Sequence, residues 1–125
     1  MTKEDQELLL KDLCARLPYG VKVQVYGDDQ FYGPAILAKI DVKRKVVVFN
    51  FDVPVEDVKP YLRPMSSMTE EELKMFKQLQ VEADEAGTFE GDMLLYDWLN
   101  KNHFDYRLLI FQGLALEAPE GMYKV

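Results

Sequence analysis

The sequence predicts an α+β fold: an N-terminal helix, a small antiparallel sheet, then two to three C-terminal helices. Three observations predict it. An apolar stripe at helical spacing opens the chain, the period drops to two between residues 20 and 63, and helical spacing returns after Ser66. The 125 residues suit one domain, 1–125. A subdivision into a helix plus small sheet (1–64) and an acidic helical part (65–125) is the alternative organisation.

Thr2 with Asp5 three residues later is a capping box with Asp in place of Glu. Leu9, Leu10, Leu13, Cys14 and Leu17 follow on one helical stripe, which places Cys14 in the core as a small apolar group. Pro18 and Gly20 end the helix. Val21, Val23 and Val25 then alternate with Lys22, Gln24 and Tyr26, a half-buried strand. Gly27-Asp28-Asp29 is turn chemistry. A second strand is expected over Ala35 to Ile40 and a third over Val46 to Phe51, with DVKRK as the hairpin tip between them. Residues 46–49 are apolar on both faces, so each side needs a cover. A fourth extended segment, Val58 to Arg63, holds Pro60, which cannot donate to a ladder and suggests an edge.

Thr69 and Glu72 form a second capping box, with Leu73, Phe76, Leu79 and Ala83 as the buried stripe of the helix it starts. Asp84 to Gly91 reads as an acidic loop, and Asp92 as the cap of a third helix with Leu95, Trp98, Leu99 and Asn102 on its inner face. Asp105 is expected to start a short fourth helix that runs to Gln112 and closes at Gly113. The tail, LALEAPEGMYKV, reads as extended. Leu73, Phe76, Trp98, Leu99, Leu109 and Ile110 are the apolar groups this half must bury, on the sheet or on each other.

Charge and composition exclude several classes. Residues 1–64 carry 10 basic and 10 acidic side chains, whereas 65–125 carry 5 and 12, so the net −7 lies wholly in the second half. Such a surface repels phosphate backbones. The one basic cluster, Lys39, Lys43, Arg44 and Lys45, sits around the expected hairpin tip, where solvation is its ordinary role. Residues 82–97 hold Glu82, Asp84, Glu85, Glu90, Asp92 and Asp97 and no base. One Cys leaves no internal disulfide and no cysteine zinc site. The absence of a membrane-length apolar run and an acidic, helical start unlike a signal peptide point to a cytoplasmic protein.

No catalytic, cofactor-binding or metal-ligating set stands out. His103 is the only imidazole, and an enzyme reading would pair it with Asp97 or Asp105 as general base and orienting acid. A His at a helix C-terminus is more often there to meet free carbonyls. Tyr26, Phe31, Tyr32, Phe49 and Phe51 cluster in the sheet region. The run VKVQVYGDDQFYGPAILAKIDVKRKVVVFNF, ending in VKPYLRP, resembles the layout of SH3-like and Tudor-type barrels, over about 45 residues. That resemblance implies a barrel whose rings flank a ligand-holding turn.

KPYLRPMSSMTEEE (59–72) and DWLNKNHFDYR followed by GLALEAPEGMYK (97–124) resemble segments of small proteins encoded in prophages and mobile elements of gut anaerobic bacteria. The likeness covers roughly a third of the chain. In that pattern a Gly follows the Arg of DYR and a charged pair precedes GLALEAP. Here Leu108 and Ile110-Phe111-Gln112 stand instead, which makes the segment more apolar. The resemblance implies an accessory protein and supplies no catalytic residue. The expected function is therefore a protein–protein interaction module, with Tyr26, Phe31, Tyr32, Tyr61, Met65, Met68, His103, Tyr106 and Arg107 as candidate contacts. Tyr123 is a further aromatic expected at the surface. The alternatives are single-strand nucleic-acid binding by the 39–45 cluster with sheet aromatics, and the His103 enzyme.

Overall fold

The computed structural model describes residues 1–27, 31–41, 46–48, 51–87 and 89–123, and of Phe31 and Tyr32 the backbone only. The expected DVKRK tip therefore lies outside the described residues. The fold is α+β, with helix α1 (Lys3–Arg16), a six-stranded sheet, and helices α2 (Glu70–Ala86) and α3 (Phe89–Lys101). The strands are β1 (Lys22–Tyr26), β2 (Phe31–Ile40), β3 (Val46–Val48), β4 (Phe51–Val53), β5 (Val58–Leu62) and β6 (Leu116–Glu117).

α1 starts as its sequence predicts. The Thr2 hydroxyl accepts from the Asp5 amide at 3.0 Å, and the Asp5 carboxylate accepts from the Thr2 amide at 3.4 Å. A 3₁₀ turn, Leu17–Tyr19, and Gly20 at φ 70° then turn the chain into β1. Cys14 is not in the core: it is exposed, because the buried face of α1 is drawn by Leu9, Leu13 and Arg16, one and two turns apart.

Strands β1 to β4 form an antiparallel meander, and β5 returns after a 3₁₀ turn (Val55–Asp57) to pair with β1, giving the order β4-β3-β2-β1-β5-β6. The sheet is open rather than closed into a barrel. The long third strand expected over 46–51 is instead two short strands, with Val46 pairing Val53 and Val48 pairing Phe51. Val46, Val47 and Val48 are all buried, as strands covered on both faces require. Pro60 does not mark an edge. It pairs Val23 on one side of β5, while Tyr61 and Leu62 pair with β6 in parallel on the other. Leu9, Leu13, Val23, Leu37, Val58 and Leu62 lie in the core between α1 and the sheet, and Leu109, Leu114 and Ala115 join the same cluster. Truncating one such Leu to Ala costs about 2–5 kcal/mol.

α2 and α3 form a tight hairpin rather than helices separated by a long loop. α2 runs on to Ala86, where Gly87 at φ 57° ends it, and α3 begins at Phe89, a turn earlier than an Asp92 cap would place it. Gly91 permits the crossing, since a Cβ there would stand 2.7 Å from Ala83 Cα. Trp98 lies between Phe76 (6.4 Å, 17°) and Phe104 (5.6 Å, 32°), and the Arg63 guanidinium covers Phe104 at 4.2 Å. That stack of rings ties the hairpin to the end of β5. Leu99 and Leu109 are buried, Phe76, Trp98 and Ile110 are half-buried, and Leu73 is exposed, outside the stripe assigned to it.

The expected fourth helix is absent. Residues 105–113 form successive turns, because the Asp105 carboxylate accepts from the Leu109 and Ile110 amides (2.8 and 2.9 Å) and replaces a helical ladder there.

Candidate interaction surface

Several of the residues singled out from sequence converge, but on a buried nucleus. His103 sits at φ 60° after α3 and is 4% exposed. Its carbonyl accepts from the Arg63 amide, and the Arg63 carbonyl accepts from the Asp105 amide, both at 2.8 Å, which locks the segment after α3 beside β5. Its ring stacks on Tyr123 at 3.9 Å. Burial, and then the nearby Arg16 charge, lower the imidazole to about 4, so it is neutral at pH 7. Nδ1 of the ring is buried without a hydrogen-bond partner. Asp97 is exposed and Asp105 is committed to two amides; neither carboxylate orients His103 as a base.

The charge beside His103 comes from a buried pair that sequence reasoning missed. Arg16 and Asp12, both fully buried one turn apart on α1, are joined at 2.9 Å, and Arg107 reaches the other Asp12 oxygen at 2.7 Å. Arg16 also donates to the Phe104 carbonyl at 2.6 Å and lies over the Tyr106 ring. The signal was in the sequence: Arg16 continues the Leu9–Leu13 spacing on the inner face, and Asp12 precedes it by four. Tyr123 completes the nucleus. Its hydroxyl accepts from the Lys22 amide at 2.9 Å and donates to the Tyr61 carbonyl at 2.7 Å, and burial pushes its phenol up to about 12.

The other candidate contacts are spread out. Tyr61 and Tyr26 are half-buried on neighbouring strands, with the Tyr61 hydroxyl donating to Gln24 and Lys59 over the Tyr26 ring at 5.6 Å. Burial and the neighbouring Tyr61 raise the Tyr26 phenol. Met65 and Met68 are half-buried in the turn leading to α2. Tyr106 donates to Asn100 at 2.8 Å, and Arg107 is held by Asp12. Lys39 is exposed; Lys43, Arg44 and Lys45, and the side chains of Phe31 and Tyr32, lie outside the described residues.

What the structure exposes instead is a face of the helix hairpin. At about 100° per residue, Gly91, Leu95, Trp98 and Leu99 share the side of α3 that meets α2 and the ring stack. Phe89, Met93 and Tyr96 lie on the opposite side, at i, i+4 and i+7. They are 87%, 61% and 47% exposed. At its far end this stripe passes into the Tyr96–Tyr106 contact (5.2 Å) and buried Asn100. Glu90, Asp92 and Asp97 flank it, all exposed. The spacing could have been read from sequence, but Phe89 fell in a segment assigned to a loop.

The chain matches no protein-family model, no curated protein and no solved structure. Among the described residues no group of three or more His, Cys, Asp or Glu side chains is placed to hold a metal, and no helix is long and apolar enough to cross a membrane. A groove of about 540 Å³ runs between Arg63, Glu72 and the 117–123 segment, but the Arg63 guanidinium in it is already paired with Glu72 by two bonds of 2.7 and 2.8 Å.

Proposed function

We propose that this chain is a protein–protein interaction module, a small accessory protein of a prophage or other mobile element that acts in the cytoplasm. The observation that carries the reading is the Phe89–Met93–Tyr96 stripe. A helix that already buries one face against α2 and the ring stack presents a second apolar face to water. Exposed Phe and Met side chains at helical spacing are the composition of an interface core, and their exposure in the free protein costs solubility unless something covers them. The candidate contacts thus move from Tyr61, Met65 and Met68 to the outer face of α3.

In this reading the open sheet keeps an SH3-like strand layout and serves as scaffold. The meander β1 to β4, the 3₁₀ turn after it and the return of β5 beside β1 support that description. An exposed, single Cys14 thiol suits a reducing compartment.

The test is affinity capture with the wild type and with Phe89→Ser/Met93→Ser from a lysate of a natural host. Proteins held by the wild type and released by the double variant support the reading. Identical captured sets for the two, or no capture from a strictly monomeric protein, end it.

A further inference from the structure

The stripe on α3 is flanked along both sides by acidic groups, and those flanks select its occupant. Around the helix axis Asp92 lies beside Tyr96 on one flank, while Glu90 and Asp97 lie beside Met93 on the other. Across the hairpin tip, Glu82, Asp84 and Glu85 of α2 are exposed as well, and no Lys or Arg occurs among residues 82–97. An apolar strip between two acidic rails is complementary to a helix that is apolar on one side and cationic along both borders.

We infer that the outer face of α3 receives a cationic amphipathic segment from another protein. The apolar side of that segment covers Phe89, Met93 and Tyr96, and its Lys and Arg side chains meet Asp92 on one border and Glu90 and Asp97 on the other. The inference rests on the interaction-module reading and adds the chemistry of the partner. Two other occupants are disfavoured by the same charges. A second copy laid stripe to stripe would set acid against acid on both borders, at a net charge of −7 per chain. An anionic lipid surface or a nucleic acid would meet the same repulsion. From Phe89 to Tyr96 the stripe is about 10 Å long, two turns of a docked helix.

The test uses the full-length chain and two fluorescein-labelled amphipathic peptides with the same leucines, one carrying lysines on the polar side and the other glutamates. Binding is read by anisotropy, and the oligomeric state by sedimentation. The lysine peptide is expected to bind at least about tenfold more tightly than the glutamate peptide and to weaken with salt. Phe89→Ser/Met93→Ser should weaken it by about tenfold or more. The triple variant Glu90→Gln/Asp92→Asn/Asp97→Asn should weaken it and flatten its salt dependence. Equal binding of the two peptides through the stripe overturns the charge selection and leaves the module reading standing. Lysine-peptide binding indifferent to the Phe89/Met93 change sinks both. A dimer that needs the stripe and excludes the peptide makes a second copy the occupant, and no binding of either peptide removes the cationic partner.

Discussion

The imidazole of His103 lies against the phenol ring of Tyr123, their centroids 3.9 Å apart and their planes 25° apart. This contact joins the turn after α3 to the segment that runs back across the sheet. It is fixed from the other side by the Tyr123 hydroxyl, bonded to both β1 and β5. His103 therefore serves as packing in the buried nucleus.

Removing that hydroxyl isolates its contribution. Tyr123→Phe keeps the stack on His103 but leaves the Lys22 amide without its acceptor. The expected loss is about 1–3 kcal/mol, seen as a lower denaturant midpoint with an unchanged slope. Tyr123→Ala, which also removes the ring, should lose more.

His103 makes stability depend on pH in a defined window. In the folded chain the imidazole takes a proton only near pH 4, whereas in an unfolded chain it does so near 6.5. Between those values the unfolded state binds the extra proton, so stability present above pH 6.5 is lost as pH falls through 4. The loss from pH 7 to pH 4.5 should be about 2 kcal/mol. His103→Gln should flatten this part of the stability profile. A wild-type profile with the same slope as the variant's would refute the assignment.

Asp12 neutralises a guanidinium that is fully buried. Asp12→Ala should cost about 3–5 kcal/mol, because Arg16 stays buried and uncompensated. Asp12→Leu combined with Arg16→Met should recover most of that, since Arg107 is partly exposed and can turn to solvent. Thermal midpoints of the single and double variants decide it: a double variant no better than Asp12→Ala contradicts this account.

Gly91 sets two effects in opposition. Alanine is the better helix former by about 0.5–1 kcal/mol, yet its Cβ would stand 2.7 Å from the Ala83 backbone. Backbone cannot swing aside as a side-chain tip can, so overpacking of about 1–3 kcal/mol wins. Gly91→Ala should lower the midpoint and shift the fluorescence of Trp98, whose rings pack across that crossing. A stabilised variant would show that the helices part at little cost.

What could be read directly from the sequence was local. The Thr2–Asp5 and Thr69–Glu72 boxes each need four residues, and both form with their reciprocal bonds. The alternation from Val21 to Val25 likewise marked β1 without a distant partner, but it put Gln24 on the outer face, whereas Gln24 is buried with the valines. Readings failed where a polar side chain competed with the backbone or where a remote segment decided. Asp105 starts no helix because its carboxylate takes the two amides that a helix would have used. Pro60 sits inside the sheet because residues 116–117, far along the chain, supply the neighbour of β5. Cys14 lost its place in the core to Arg16, a charged side chain that the apolar spacing alone would not put inside. Of the surface now proposed, Tyr96 lay within the expected third helix, but Phe89 was hidden by two glycines that read as a loop: Gly87 ends α2 and Gly91 marks the close helix crossing.

The bond between Lys22 and Tyr123 spans 101 positions, and it has a consequence during synthesis. A nascent chain can pair β1 with β2 and β5 as soon as those strands clear the ribosome, yet the outer edge of β5 stays bare until residues 116–118 emerge. Over that interval the growing polypeptide carries an open strand edge, the kind that chaperones shield and neighbouring chains invade. A premature stop codon before that stretch would make the interval permanent.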